Sequence, residues 1–196
     1  MARRGPRGSG EDTRSAILDA ARRAFGSHGY DRTTIRGIAG DAGVDPALIH
    51  HYFGTKADLF GDAMALPFRP ADAVPTILDG DPETVGESLA RLFFTAWEMP
   101  ATRDALLGQL RHSMVTGDQP AIAGFLTDEI IDRLAARMDG DDRALRVEMA
   151  VAQLIGIALL RYVIRLEPIA STPIETLIAE IAPGLQQRLA ARSSPQ

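Results

Sequence analysis

The chain has 196 residues, 45% hydrophobic and 24% charged, which gives room for one large domain or a small domain joined to a medium one and argues against wholesale disorder. It has no cysteine, which excludes a disulfide framework, a thiol nucleophile and a thiolate metal site. The net charge of −5 argues against a surface that coats nucleic acid throughout, yet residues 1–40 hold eight arginines against four acids, so a basic head on an acidic body points to a polyanion partner for the head alone.

The first ten residues are Arg/Gly-rich rather than apolar, and no uninterrupted run of 18 apolar residues occurs, so neither a signal segment nor a membrane span is expected. Residues 1–10 read as a flexible arm that carries Arg3, Arg4 and Arg7. Helical spacing then recurs throughout, and strand-like alternation is missing, so the expected fold class is all-α. The first helix runs from about Glu11 to His28, with Ser9 and Asp12 as a capping box and Ile17, Leu18, Ala21, Ala24 and Phe25 as its buried face. Gly29 ends it, and Tyr30 folds back onto its last turn.

A second helix follows from about Thr34 to Ala42, capped by Thr33 or Thr34 and stopped by Gly43. The third opens with Asp45 as N-cap and Pro46 at the first helical position, where a missing N–H costs nothing. It runs to about Tyr52, and Thr55 with Asp58 forms a capping box for a fourth. Pro67, Pro70 and Pro75 are expected to break or kink the chain between 66 and 82. Longer helices are then expected over about 82–99, 102–116, 119–138 and 142–166. The last opens at Thr172-Pro173 with Glu175 as another capping box and is kinked at Pro183, and residues 193–196 form a tail.

The segment Thr33 to Lys56 carries the chemistry. Two helices of about seven or eight residues joined by a tight turn at Gly43-Val44 are too short to build a core. Each spans only about 10 Å, which suits a DNA major groove about 12 Å wide. Ala39 and Gly43 let the pair approach closely, as a helix-turn-helix requires, with the first helix packed beneath.

Thr34-Ile35-Arg36-Gly37-Ile38-Ala39-Gly40-Asp41-Ala42-Gly43-Val44 resembles the second-helix signature of TetR-type (tetracycline-repressor-like) regulators. Ile49-His50-His51-Tyr52-Phe53 with Thr55-Lys56-Ala57-Asp58-Leu59 is similar to that family's recognition-helix end and linker, and Phe25-Gly26-Ser27-His28-Gly29-Tyr30 to its first-helix terminus. His50 and His51 stand where the family often has two aromatics, and Asp45-Pro46 replaces a commoner serine-polar start. The resemblance covers about residues 11–60. It implies DNA contacts from Thr34, Arg36, Pro46, Ala47, Leu48, His50, His51, Tyr52 and Lys56. Thr34 and Lys56 would meet phosphate, and Pro46, Ala47 and Leu48 would give apolar readout such as thymine-methyl contact. Adjacent helical histidines point about 100° apart and do not chelate well, so no metal is expected.

Met149 to Ile164 is apolar nearly all round its helix, which demands burial on all sides. With the stripe Ile174, Leu177, Ile178 and Ile181, it suggests a four-helix homodimer interface through Leu154, Ile157, Arg161 and that stripe, as the resemblance also implies. The family's body binds a small effector between helices. The candidates here are Phe93, Phe94, Trp97, Leu107, Arg111, Met114, Phe125 and Gln153.

The expectation is a three-helix DNA-binding head over residues 11–56 and a larger helical-bundle ligand-binding and dimerisation body over 57–192. The whole would be a cytoplasmic, nucleoid-associated repressor that reads a near-palindromic operator on double-stranded DNA as a homodimer and is released by a small-molecule effector. No cofactor, metal or membrane partner is expected, and enzyme signatures such as a Walker loop or Gly-x-Ser-x-Gly are absent. The alternative is a helical protein–protein adaptor with a degenerate head.

Overall fold

The computed structural model describes residues 10–190 and divides the chain into two compact units. Among the described residues every regular element is helical. The arm arginines, the Ser9 cap and the tail lie outside the described residues.

The first unit takes in residues up to 66 and residues 105–125. Its helices are α1 (Gly10–Arg32), α2 (Ile35–Ala42), α3 (Pro46–Phe53) and α4 (Lys56–Ala63), together with α7 (Pro100–Thr116) from Ala105 onward and most of α8 (Ala121–Leu126). The helix of α1 is interrupted at Gly29, whose φ of 78° only glycine adopts at no steric cost. That break turns Tyr30 inward. Tyr30 meets Phe60 and Phe125 edge-on at 5.2 and 5.7 Å, and Phe60 stacks on Phe125 at 4.8 Å. This aromatic cluster explains why the head extends beyond residue 56: α4 supplies Phe60 and α8 supplies Phe125. Phe125, expected at an effector pocket, is therefore a core residue of the head, 4% exposed.

The second unit holds residues 67–104 and 126–190 of the described chain. Its first helix, α5 (Pro70–Leu78), forms where proline breaks were expected. Pro70 sits in its first turn, where no N–H is needed, and Pro75 accepts at its carbonyl from Asp79 N at 2.8 Å. A 3₁₀ turn (Pro82–Thr84) capped by Asp81 leads into α6 (Val85–Glu98). The helix of α8 continues through a π-helical turn (Thr127–Ile131) into α9 (Asp132–Ala135), and α10 (Arg143–Ala158) through another (Leu159–Ile164). The last helix, α11 (Ile174–Leu189), runs unbroken past Pro183, which is exposed. It lacks the expected capping box, because the Thr172 hydroxyl donates to Pro168 O at 2.8 Å instead.

The core of this unit is built on Val74, Leu89, Ala90, Phe94, Val147, Ala150, Leu154, Ile178 and Leu185. Buried Arg146 closes one end. Its guanidinium donates to the carbonyls of Arg188 (2.8 Å), Asp139 (3.2 Å) and Ala190, two of them at the C-terminal end of α11, where a helix presents unpaired carbonyls and favours a cation.

Backbones of α6 and α11 approach closely at Gly86. A Cβ there would lie 2.5 Å from Gln186 N and 2.8 Å from Ala182 O, both backbone atoms that cannot move independently. The pair is also sewn by Gly86 N donating to Gln186 Oε1 at 2.8 Å and Gln186 Nε2 donating to Pro82 O at 2.7 Å. Replacing Gly86 with alanine should cost about 1–3 kcal/mol by overpacking. A thermal melt should record a Tm fall of roughly 2–4 °C per kcal/mol for a chain of this size. An unchanged Tm would mean that the two helices are free to separate.

Candidate nucleic-acid interface

The geometry of the site begins with how the turn between α2 and α3 is fixed. Gly43 takes the left-handed conformation at φ 67°, and its neighbour Val44 donates its N–H to Ala39 O at 3.0 Å, closing the end of α2. At the other end the Thr34 hydroxyl oxygen accepts from Gly37 N at 3.1 Å. Thr34, not Thr33, is thus the cap. Thr33 is buried and donates its hydroxyl to Gly29 O at 2.6 Å and Ala24 O at 3.1 Å, which ties the start of α2 to the end of α1.

Ile38 and Ala39 of α2 and Ile49 and Phe53 of α3 are buried with Ile17, Ala21 and Phe25 of α1. One face of each short helix is thereby locked and the other is left to solvent. Asp45 caps α3 by accepting from Ala47 N at 2.8 Å, and Thr55 and Asp58 form the expected reciprocal box at the start of α4. Asp45→Ala removes that acceptor and should cost about 1 kcal/mol. Because α3 is only eight residues long, fraying of its first turn should also weaken DNA binding, measurable by fluorescence anisotropy alongside a denaturant titration. Equal stability of both chains would deny the cap its role.

All nine residues expected at DNA reach the surface. Thr34, Arg36, Ala47, Leu48, His50 and His51 are exposed, and Pro46, Tyr52 and Lys56 are half-buried. Thr34 spends its oxygen as acceptor and keeps its O–H free to donate to a phosphate. His50 Nδ1 lies 3.0 Å from Gly54 O and so donates to it, which leaves Nε2 for another partner. Lys56 holds its ammonium 4.2 Å from the Tyr30 ring centre, a cation–π contact that steers the side chain. Pro46, Ala47 and Leu48 form the first turn of α3 and bring no donor.

The eight effector candidates divide equally between the two units. Phe94 is in the core of the second unit, and Trp97 is buried, stacked on Tyr162 at 5.6 Å with Phe93 at 5.9 Å. Arg111 is exposed and Met114 is 83% exposed, so neither is enclosed, and Leu107 lies on the part of α7 that belongs to the first unit. Gln153 is half-buried in the second unit.

The dimer candidates divide by burial. Leu154, Leu177 and Ile178 are buried within the protomer, and Ile157, Ile174 and Ile181 pack against the same core. Arg161 donates to Ile169 O and Thr172 O, both at 2.7 Å, and so pins the loop before α11. On its other side α10 exposes Leu145, Met149 and Ala152, with half-buried Gly156 one turn on and exposed Val163 in the π-helical turn that follows. By length and composition Arg143–Ile164 would suffice to cross a membrane, and 28% of an 18-residue apolar stretch within it is buried in the protomer.

Tyr162 donates its hydroxyl to Glu98 Oε1 at 2.5 Å, beside Arg161 Nε at 3.6 Å from the same oxygen. Burial first, and then the Glu98 carboxylate, push the Tyr162 phenol well above its ordinary pKa, so it stays a neutral donor.

Comparison with known proteins agrees with this geometry. A family model described as "Bacterial regulatory proteins, tetR family" matches residues 17–63, and one described as "Tetracyclin repressor-like, C-terminal domain" matches residues 83–189. The chain is 30% identical to the HTH-type transcriptional regulator BetI of Agrobacterium fabrum over 169 residues, 82% of each protein. It is 52% identical to BetI of Rhizobium meliloti over 46 residues, 24% of this chain and 23% of that one. A solved TetR-family regulator from Streptomyces coelicolor A3 is similar at 35% identity and a TM-score of 0.53, over 94% of this chain and 99% of that one.

Proposed function

The chain belongs to the TetR family of helix-turn-helix regulators, and on that premise we propose that it is a homodimeric repressor released from a near-palindromic operator by a small-molecule effector. It is a DNA-binding transcriptional regulator, as its relatives are, which leaves the adaptor alternative without support. The observation that carries the operator reading is α3 itself. Its eight residues are capped at Asp45 and anchored by Ile49 and Phe53, and they turn Ala47, Leu48, His50 and His51 outward together. That is a rigid reading edge with apolar contacts at its start and two histidine rings beyond them.

Two such edges are needed for affinity. The exposed stripe on α10 supplies the joint, with Ala152 and Gly156 small enough for close approach between copies. Phe93, Trp97 and Gln153 of the second unit remain the candidates for the effector. Occupancy there would bias the head separation by a coupling free energy of about 1–3 kcal/mol. Repression places the protein with the DNA, in the cytoplasm.

Selection of bound duplexes from random DNA tests the reading. The expected result is an enriched near-palindrome with half-sites one helical turn or a multiple apart. An enriched single half-site would overturn the dimer, and no enrichment from effector-free protein would overturn sequence reading by α3.

A further inference from the structure

We propose that the reading unit has a binding site of its own for a small organic anion, in the cleft between the C-terminal half of α1 and the segment from Ala105 to Ala121. Every lining residue belongs to the first unit, so this site is separate from any effector pocket in the body. The cavity measures about 670 Å³, within the range of roughly 300–1,000 Å³ typical of small-molecule sites.

Three lining residues, Gly26, Gly29 and Gly108, are glycines and put no side chain into the space. A Cβ built on Gly26 of α1 or on Gly108 of α7 meets nothing within 4 Å. The walls are set by hydrogen bonds of the protein itself. Gln109 Oε1 accepts from Ile122 N at 3.0 Å, Thr116 Oγ1 accepts from Asp118 N at 3.2 Å, and Ser113 Oγ donates to Asp118 O. A ligand would not have to order them.

The chemistry is cationic over an apolar floor. Arg22, Arg23 and Arg32 line the cleft with His28 and His112, against one carboxylate, Asp118. The ends of α4 and α1 face it with carbonyls that would repel an anion, but two arginines cover them: Arg22, whose Nη1 pairs with Asp19 at 3.3 Å, donates from Nε to Ala63 O at 3.4 Å, and Arg32 Nε donates to His28 O at 3.1 Å. Arg23 makes no ion pair or hydrogen bond among the described residues, which leaves its whole fork for a carboxylate or phosphate. Met64, Ala105, Pro120 and Ala121 line the remainder, so the ligand class is an acid group on an apolar body about the size of one ring.

The four histidines of the chain make the test direct, since His28 and His112 line the cleft while His50 and His51 sit on α3. Full-length protein is titrated with benzoate, phenyl phosphate and, as the cationic control, benzylamine, while the imidazole signals are followed by NMR. The expected result is a saturable shift of His28 and His112 with at least one anion, none with benzylamine, and His50 and His51 unmoved. The tighter of the two anions tells a carboxylate site from a phosphate site. Arg23→Glu should weaken binding by about tenfold or more, and Gly108→Leu, which fills open space without a clash, should abolish it while the protein stays folded. Absence of a saturable shift with both anions, equal binding of benzylamine, or binding indifferent to both substitutions would overturn the site. So would displacement of the anion by operator DNA with His28 shifting on the duplex alone, which would assign these arginines to the phosphate backbone.

Discussion

A chain carrying Gly156→Arg should elute as a monomer and lose about 10²–10⁴-fold in operator affinity, the advantage that linking two binding modules confers. Gly156 lies in the middle of the apolar stripe of α10, and a Cβ there meets nothing within 4 Å of its own protomer. The arginine therefore fits the isolated fold and disturbs only what a second copy places against the helix. There it would bring a charge and a long side chain into an apolar contact, with no partner to offset the cost of desolvation. The stripe cannot remain bare at low cost: Leu145 is 58% exposed, Met149 46% and Val163 49%. An apolar face of that extent marks an interaction surface. Ala136→Arg, at an exposed position after α9, is the control and should change neither size nor affinity. If Gly156→Arg leaves a dimer by analytical ultracentrifugation, the joint lies elsewhere.

The head was legible in the sequence because its rules are local. Thr34, Gly43, Asp45 and the Thr55–Asp58 box are each defined by hydrogen bonds within a few residues, and every one of these turns stands where spacing put it. Long-range pairing was not legible. Nothing near Phe125 says that its ring will stack on Phe60, 65 positions earlier, so spacing alone leaves it with the body. On α10 the helix is apolar nearly all round, so periodicity cannot tell Leu154, fully buried in the core, from Met149 at the surface. The π-helical turns at Thr127–Ile131 and Leu159–Ile164 also shift the register of the faces beyond them, which a fixed 3.6-residue period does not follow. The anion cleft leaves no sequence motif, since its arginines come from α1 and its walls from α7 and the loop before α8.

Operator affinity should fall by up to about 10⁵-fold between 50 and 200 mM salt, and the steepness should come mostly from the arginines before residue 10. The helix-turn-helix and the start of α4 contribute two cations, Arg36 and Lys56, against the exposed acids Asp41 and Asp45. Hydroxyl and histidine contacts to phosphate, such as that of Thr34, displace no counterion when the group is neutral. Two heads with two cations each would therefore release about four counterions, a slope near −3.6 and a fall of only about 10²-fold over that range. Arg3, Arg4 and Arg7 raise the potential total to about ten per dimer and the fall toward the upper figure. The measurement is anisotropy at five or six salt concentrations with the full chain, with a chain lacking residues 1–9, and with Arg36→Ala. Removing residues 1–9 should flatten the slope by several units, while Arg36→Ala should reduce it by about two per dimer. A slope that survives the truncation would move the phosphate contacts onto cations of the folded head. Arg14 is committed there, to Asp62 and to the ring of Phe53, so the exposed arginines at the far end of α1 would have to supply the charge. In that case the same experiment would also weigh against the anion cleft, because Arg22, Arg23 and Arg32 cannot hold a small anion and the operator backbone at once.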